Sequence, residues 1–352
     1  MTHFDSKRRK VLQQLISAIS LSIVGQQNFP HVGLMATHQN YPSIGLEEQW
    51  QPISKGKAIN GKVLDRYATL LALCWRLLKG NEWVTVAYLL PTFLSEVETV
   101  AQQPSSHQKI FAGFAAQAYI LKSIVVGHQD NLAAKLIACD AAIEYSRFAE
   151  NPEMEVTALI QQAVTFDYRK QHQKALHSYQ QAFLQVKNVP PLLSARILAG
   201  LAGSYARCGQ EEYEAQRYFD EARKKMPAQP EMDPSFLYAD CGQFTLPLWE
   251  GRIFFAFDQF DSAYTVFAQA KNHTDIPERI RTEFLNHLLE TSIAQGDLDQ
   301  SILCLREAGK AAINLKSERR QREVLDASQS MLHRWRQDRK RIQDAIAEIF
   351  VE

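Results

Sequence analysis

The chain has 352 residues, 46% of them hydrophobic, which is ample for a core and too apolar for wholesale disorder. Lys+Arg and Asp+Glu balance at 39 each, so the bulk charge points to neither a nucleic-acid binder nor a partner for acidic ligands. With 15 glycines and 13 prolines the composition is helical, and the length allows either several ordinary domains or one long repeat array.

Residues 1–25 read as a basic amphipathic helix. SKRRKVLQQLISAISLSIVG, residues 6–25, places a basic cluster before an apolar run. Gln13 and Gln14 interrupt that run and no A-x-A cleavage site comes after it, so the expectation is a cytoplasmic protein. The alternative is export, since Arg8-Arg9 resembles a twin-arginine signal. The run is short for a bilayer span, which takes about 20 apolar residues, and no other segment is expected to cross a membrane. Residues 26–61 hold prolines, glycines, Asn and His without helical periodicity and read as an irregular linker.

From residue 62 a spacing recurs. EAQRYFDEARKKMP places Ala215, Phe219 and Ala222 at offsets 0, 4 and 7, with Pro227 beyond. HQKALHSYQQAF repeats it with Ala175, Tyr179 and Ala182, FDSAYTVFAQA with Ala263, Phe267 and Ala270, and GDLDQSILCLREA with Ser301, Leu305 and Ala308. LAAKLIACDAA fits with Ala134, Ala138 and Ala141. A further helix precedes each set, such as ILAGLAGSYARCGQ with Leu201-Ala202, Tyr205 and Gly209, or PLWEGRIFFAFDQF with Gly251 and Phe254. Two antiparallel helices approach closely only where facing residues are small, and a large side chain from one then fills the hole beside the neighbour's alanine. Gly80, Gly127, Gly209 and Gly296 are expected to supply the left-handed residue that ends each first helix. The long segment DPSFLYADCGQFTLPLWEGRIFFAF is expected to be a helix broken near Pro247.

These offsets on paired helices resemble the tetratricopeptide (TPR) repeat. Residues 62–316 resemble six TPR pairs, beginning near residues 62, 105, 153, 190, 235 and 277, the fourth nearest to the family pattern. The alternative is a generic helical bundle. The resemblance implies an all-α, right-handed solenoid whose first helices line a concave groove used for peptides or protein segments. Carried over position by position, it implies a groove lined by Gln161, Asp167, Tyr168, Arg196, Gly200, Gly203, Arg207, Trp249, Arg252, Asn286, His287 and Glu290. Arginines would hold carboxylates, Asn286 would satisfy a peptide backbone, Trp249 would offer apolar area, and the small Ala199, Gly200 and Gly203 would let a ligand backbone come close.

Residues 317–352 form a last pair, read as a polar cap on the array. Residues 316–341 carry nine Lys/Arg against four Asp/Glu, and residues 7–10 add four positive charges. That supports an alternative, a nucleic-acid-associated regulator, against which stand charge pairing such as Asp326 with Arg322 and the presence of a single aromatic, Trp335. The C-terminal half, with DPSFLYAD, LWEG, IPERIRTEFLNH and a terminal W…IF, resembles bacterial regulators that join a helix-turn-helix domain to TPR repeats. This chain has no helix-turn-helix, so the resemblance implies the sensor half alone, with dimerisation through the C-terminal repeats possible and a scaffold or adaptor role as a further alternative.

Catalysis is not expected. There is no HExxH, GxSxG, phosphate-binding Gly-rich loop or metal-spaced Cys/His set, so no cofactor or metal is implied. His287 and Glu290, one turn apart, read as a polar groove face. The five cysteines, Cys74, Cys139, Cys208, Cys241 and Cys304, are scattered and read as buried free thiols.

Overall fold

A computed structural model describes residues 61–209 and 212–350. The expected N-terminal helix, its export signal and the linker through residue 60 lie outside the described residues. The chain divides into two units at Leu70/Leu71, and the packing and cavities that bear on function belong to the second, Leu71–Glu352.

The protein is all-α: fourteen α-helices and no strand occur among the described residues. They come in pairs: α1 (Gly61–Lys79) with α2 (Trp83–Ala101), α3 (Gln108–His128) with α4 (Leu132–Phe148), and α5 (Pro152–Tyr168) with α6 (His172–Phe183). Next come α7 (Pro191–Arg207) with α8 (Glu212–Lys225), α9 (Thr245–Ala256) with α10 (Phe260–Lys271), and α11 (Glu278–Gln295) with α12 (Leu298–Asn314). The last pair is α13 (Glu318–Arg334) with α14 (Arg339–Phe350).

The turns inside the pairs share one solution. After α3, Asp130 N–H bonds Gly127 O at 3.1 Å and Asn131 N–H bonds Val126 O at 3.0 Å, closing the helix through a left-handed residue. Gly209 and Gly296 take that conformation as expected, but Gly80 and Gly127 do not. Asn81 and Asp130 hold the left-handed position instead, as Glu150, Lys170 and Asp258 do in the turns after α4, α5 and α9. Gly127 lies within α3, where its role is packing. The side chains of Asn131, Asn151, Asp297 and Ser317 accept the third backbone N–H of the helix they precede, which caps it.

The small-large-small sets on α6, α8, α10 and α12 are buried throughout. Tyr179 and Phe267 of these sets, and Trp249 of inner helix α9, fill space left by glycine on inner helices. A Cβ on Gly200 would lie 2.1 Å from the Tyr179 ring, one on Gly203 would lie 2.4 Å from Trp249, and one on Gly251 would lie 2.3 Å from Phe267. Ala222 is fully buried in the set on α8, and Ala222→Leu is expected to cost about 1–3 kcal/mol by overpacking, measured by urea denaturation; a neutral result would contradict the register of α8.

On α4 the register differs by one residue from the expected one. The buried set at offsets 0, 4 and 7 is Lys135, Cys139 and Ala142, and Ala134 and Ala141 are only half-buried. A lysine thus occupies the slot held elsewhere by alanine or serine. Gly127 makes room for it: a Cβ there would meet Lys135 Cδ at 3.1 Å.

The fifth pair also departs from expectation. The stretch before α9 is not a broken helix but a short 3-10 turn, Pro230–Met232, and then bends. Asp233 organises it, accepting from Ser235 N–H and Oγ–H and from Leu192 N–H at 3.1 Å on the neighbouring pair. The helix starts only at Thr245, so Pro247 sits in its first turn, where a missing N–H costs nothing.

From α2 onwards consecutive helices pack on each other, and α3, α5, α7, α9, α11 and α13 also pack in series, which makes them an inner layer. That layer returns on itself, because α13 packs against α3. Trp83 Nε1–H donates to Leu315 O at 3.3 Å, His128 Nδ1 lies 3.1 Å from Ser317 Oγ, and Arg319 donates to Asp130 at 3.1 Å. The His128 ring stacks on Trp83, with centroids 5.3 Å apart.

Both α2 and α3 are long and apolar enough, by length and composition, to cross a bilayer. Packing accounts for α3: it lies between α2 and α4, and Phe111, Ala115, Ile120 and Leu121 are fully buried.

Candidate binding chamber

Side chains of the inner layer, joined by others such as Lys79 of α1 and Lys135 of α4, line three neighbouring, partly open cavities of about 700, 100 and 70 Å³. Tyr168 and Arg320 line all three. Tyr168, the last residue of α5, carries Arg319 over its ring at 4.5 Å.

Charges in the large cavity are held in a network. Arg207 at the end of α7 donates to Asp167 Oδ2 at 2.6 Å, and the nearest Arg252 nitrogen is 3.9 Å from the same oxygen. Burial pushes the Asp167 carboxyl up, but Arg207, His172 and Arg252 together hold it below its ordinary value. Burial, with Arg252 beside it, draws Arg207 down to about 10, so it stays charged at neutral pH. Across the cavity Arg320 bridges Glu283 at 3.0 Å and Glu323 at 2.9 Å, and Arg319 reaches Glu323 at 3.2 Å. Asn286 Nδ2–H donates to Glu323 at 2.6 Å, which fixes the orientation of its amide.

Two residues of the cavity lining carry buried polar atoms that have no partner among the described residues. These atoms are Arg207 Nε and Nη1, and Asn286 Oδ1. Asn286 is 4% exposed, so its carbonyl is a buried acceptor left unsatisfied.

The residues expected to line a groove fall into three groups. Asp167, Tyr168, Arg207, Arg252, Asn286, His287 and Glu290 line the large cavity. His287 and Glu290 bond each other at 3.0 Å, with the imidazole stacked 5.2 Å from the Phe267 ring. Gln161 lines the 100 Å³ cavity and Arg196 and Trp249 line the 70 Å³ one. Trp249 is not open apolar area, however: it is 2% exposed, with Arg196, Arg207 and Arg252 at 5.1, 5.4 and 4.4 Å from its ring. Gly200 and Gly203 line none of these cavities, because Tyr179 and Trp249 cover them. Their smallness serves internal packing, not the approach of a ligand backbone.

No family model matches the chain, and no curated protein matches its sequence.

Several chamber residues escaped the sequence reading: Lys79, Lys135, Asp240, Arg279, Glu283 and Arg320. Arg279 donates to Asp240 at 2.5 Å. Burial raises the Asp240 carboxyl, yet Arg279 and Arg196 hold it well below its ordinary value. The signal present in the sequence was a polar residue in a slot otherwise reserved for small ones, as at Lys135. The basic C-terminal face is in part inward: Arg319 and Arg320 belong to the chamber, and Arg322 pairs with Asp130 at 3.5 Å rather than with Asp326. All five cysteines are free, four buried and Cys208 half-buried.

Because Asp167 and Asp240 fold with depressed pKa values, their contribution to stability is present above the ordinary aspartate value of about 4 and is lost as pH falls below it. Melting temperature is therefore expected to drop between about pH 4 and pH 2 and to drop less in Asp240→Asn; an equal drop in both would contradict this.

Proposed function

We propose that this chain is a non-enzymatic TPR-type sensor module, of the kind found in bacterial regulators, that binds a short peptide inside the chamber. The observation that carries the reading is that the residues lining this cavity include both unsatisfied donors, on Arg207, and an unsatisfied acceptor, on Asn286. Arg207 Nε–H and Nη1–H match a peptide carbonyl or carboxylate, and the Asn286 carbonyl matches a peptide N–H. Two further features support it. A cavity of about 700 Å³ lies within the roughly 300–1,000 Å³ range of small-ligand sites. Its lining includes Arg207 and Arg252 as well as Glu283 and Glu290, which suits a ligand carrying both charges. Because the inner layer returns on itself, the occupant is a short peptide rather than a long protein segment.

Native mass spectrometry with a pool of random hexapeptides tests this. Retention of a subset as one-to-one complexes is expected, with loss of those complexes in Arg252→Glu. Arg252 makes no hydrogen bond among the described residues and its side chain is partly exposed, 18%. The variant should therefore still fold, at some cost in stability from the lost Asp167 and Trp249 contacts, which circular dichroism and a thermal melt would check. Absence of any retained peptide, or equal retention by Arg252→Glu, would overturn the reading.

A further inference from the structure

We propose that the 100 Å³ cavity bounded by Lys79, Lys135 and Arg279 is an oxyanion subsite, which takes a carboxylate or phosphate group of the ligand. The proposal rests on the reading of the larger cavity as the chamber for the rest of that ligand.

At this cavity the chain departs from its own packing rule. The first slot on the outer helices holds Ala175, Ala215, Ala263 or Ser301, and on α4 it holds Lys135, 4% exposed. A glycine opposite accommodates it, as glycines elsewhere accommodate aromatics, so the site is built around an ammonium group. Burying a cation is costly unless it is paired. Yet among the described residues Lys135 Nζ–H has only a neutral acceptor, Gln161 Oε1, at 3.2 Å. Its Nζ also lies 5.7 Å from the Tyr168 ring centroid. Lys79, from α1, faces the same cavity, and it too has no carboxylate within 4.0 Å among the described residues; its Nζ sits 3.5 Å from the Phe236 ring.

The other charged and titratable groups around the cavity leave this excess uncancelled. Arg279 is matched by Asp240, the one carboxylate in the lining among the described residues, whose charge reaches Lys79 and Lys135 only from beyond 4.0 Å and does not offset their burial. Arg319 and Arg320 are matched by Asp130, Glu283 and Glu323. Burial draws His128 down to about 3, so it is neutral, and burial raises Tyr168, so it is neutral as well. Two ammonium groups are left over, facing a space large enough for one oxyanion, and Tyr168 and Arg320 line both this space and the chamber. Burial draws each lysine down to about 8, the cost of standing without an anion. An anion in the cavity would offset that cost and raise both.

The test is calorimetric titration of the protein with inorganic phosphate and with acetate at fixed ionic strength. Saturable binding of at least one is expected, weakened tenfold or more in Lys135→Met. The affinity should fall as pH rises through about 8, where the free lysines lose their protons. Lys135→Met is expected to melt no lower than wild type, because an unpaired buried charge gives way to an apolar chain; a lysine serving structure would melt lower on removal. Lys79→Gln, at a half-buried position, is the second variant and should also weaken the anion. Acetate binding, with preference for hexapeptides bearing a free C-terminus over amidated ones, assigns a carboxylate; phosphate binding alone assigns a phosphorylated ligand. No saturable binding of either anion, or wild-type binding by both variants, overturns the subsite. The anion titration needs no peptide, so a chamber that binds phosphate or acetate but no hexapeptide sinks the peptide reading and leaves this one standing.

Discussion

Arg320→Met is expected to destabilise the fold by about 3–5 kcal/mol, the cost of breaking a buried charge pair from one side. Arg320 is 7% exposed and is the ion-pair partner of Glu283, whose side chain is itself largely buried. Methionine keeps most of the volume of the arginine stem, so the loss reports charge and not a cavity. The deficit should depend on pH. Burial pushes the Glu283 carboxyl up and Arg320, foremost among its neighbours, holds it below its ordinary value. Without Arg320 burial is opposed more weakly, by His287, Arg252 and Arg279, and the pKa rises. The deficit is then full at neutral pH and shrinks as pH falls and Glu283 takes up a proton. Glu283→Gln in the same chain should recover part of the loss, which a double-mutant cycle followed by urea denaturation would measure. A loss below about 1 kcal/mol, the range of exposed ion pairs, would mean the pair lies at the surface.

Trp249→Ala is expected to cost about 3–5 kcal/mol by leaving a large cavity in a close-packed site. The indole lies over Gly203 and meets Tyr179 edge-on at 6.2 Å between centroids. Its loss also removes the aromatic face from three arginines that have few carboxylates nearby. Trp249→Phe should cost less, since an aromatic ring still covers Gly203. Thermal melts of the two variants would order them, and a near-neutral Trp249→Ala would mean the side chain is exposed after all.

The helices and their pairing were legible because the packing that makes them is local. Ala215, Phe219 and Ala222 recur at one helical spacing in several pairs, and that spacing alone marks the buried stripe. On α4 the same rule misled. LAAKLIACDAA offers two registers one residue apart, and the aversion to burying lysine selects Ala134 over Lys135. The structure buries the lysine, so the place where the rule failed is a place where the chain gives up packing for charge. Gly200 and Gly203 were legible as small but not as covered, because the rings that cover them, Tyr179 and Trp249, come from other helices. The return of the inner layer on itself was not legible at all. It joins Asp130 to Arg319 across 189 residues, and it depends on the rotation accumulated over several helix pairs, which no local pattern encodes.

A short peptide held inside the layer formed by α5, α7, α9, α11 and α13 should be open to photocrosslinking, the most direct test of its place. The probe is a pool of random hexapeptides each carrying a benzophenone, with the adducts mapped by proteolysis. Adducts concentrated on α9, α11 and α13, around Arg252, Asn286 and Ala327, are expected, as is their loss in Arg252→Glu. Adducts spread over α6, α8, α10 and α12, or none above the level seen with unfolded protein, would contradict a ligand chamber there.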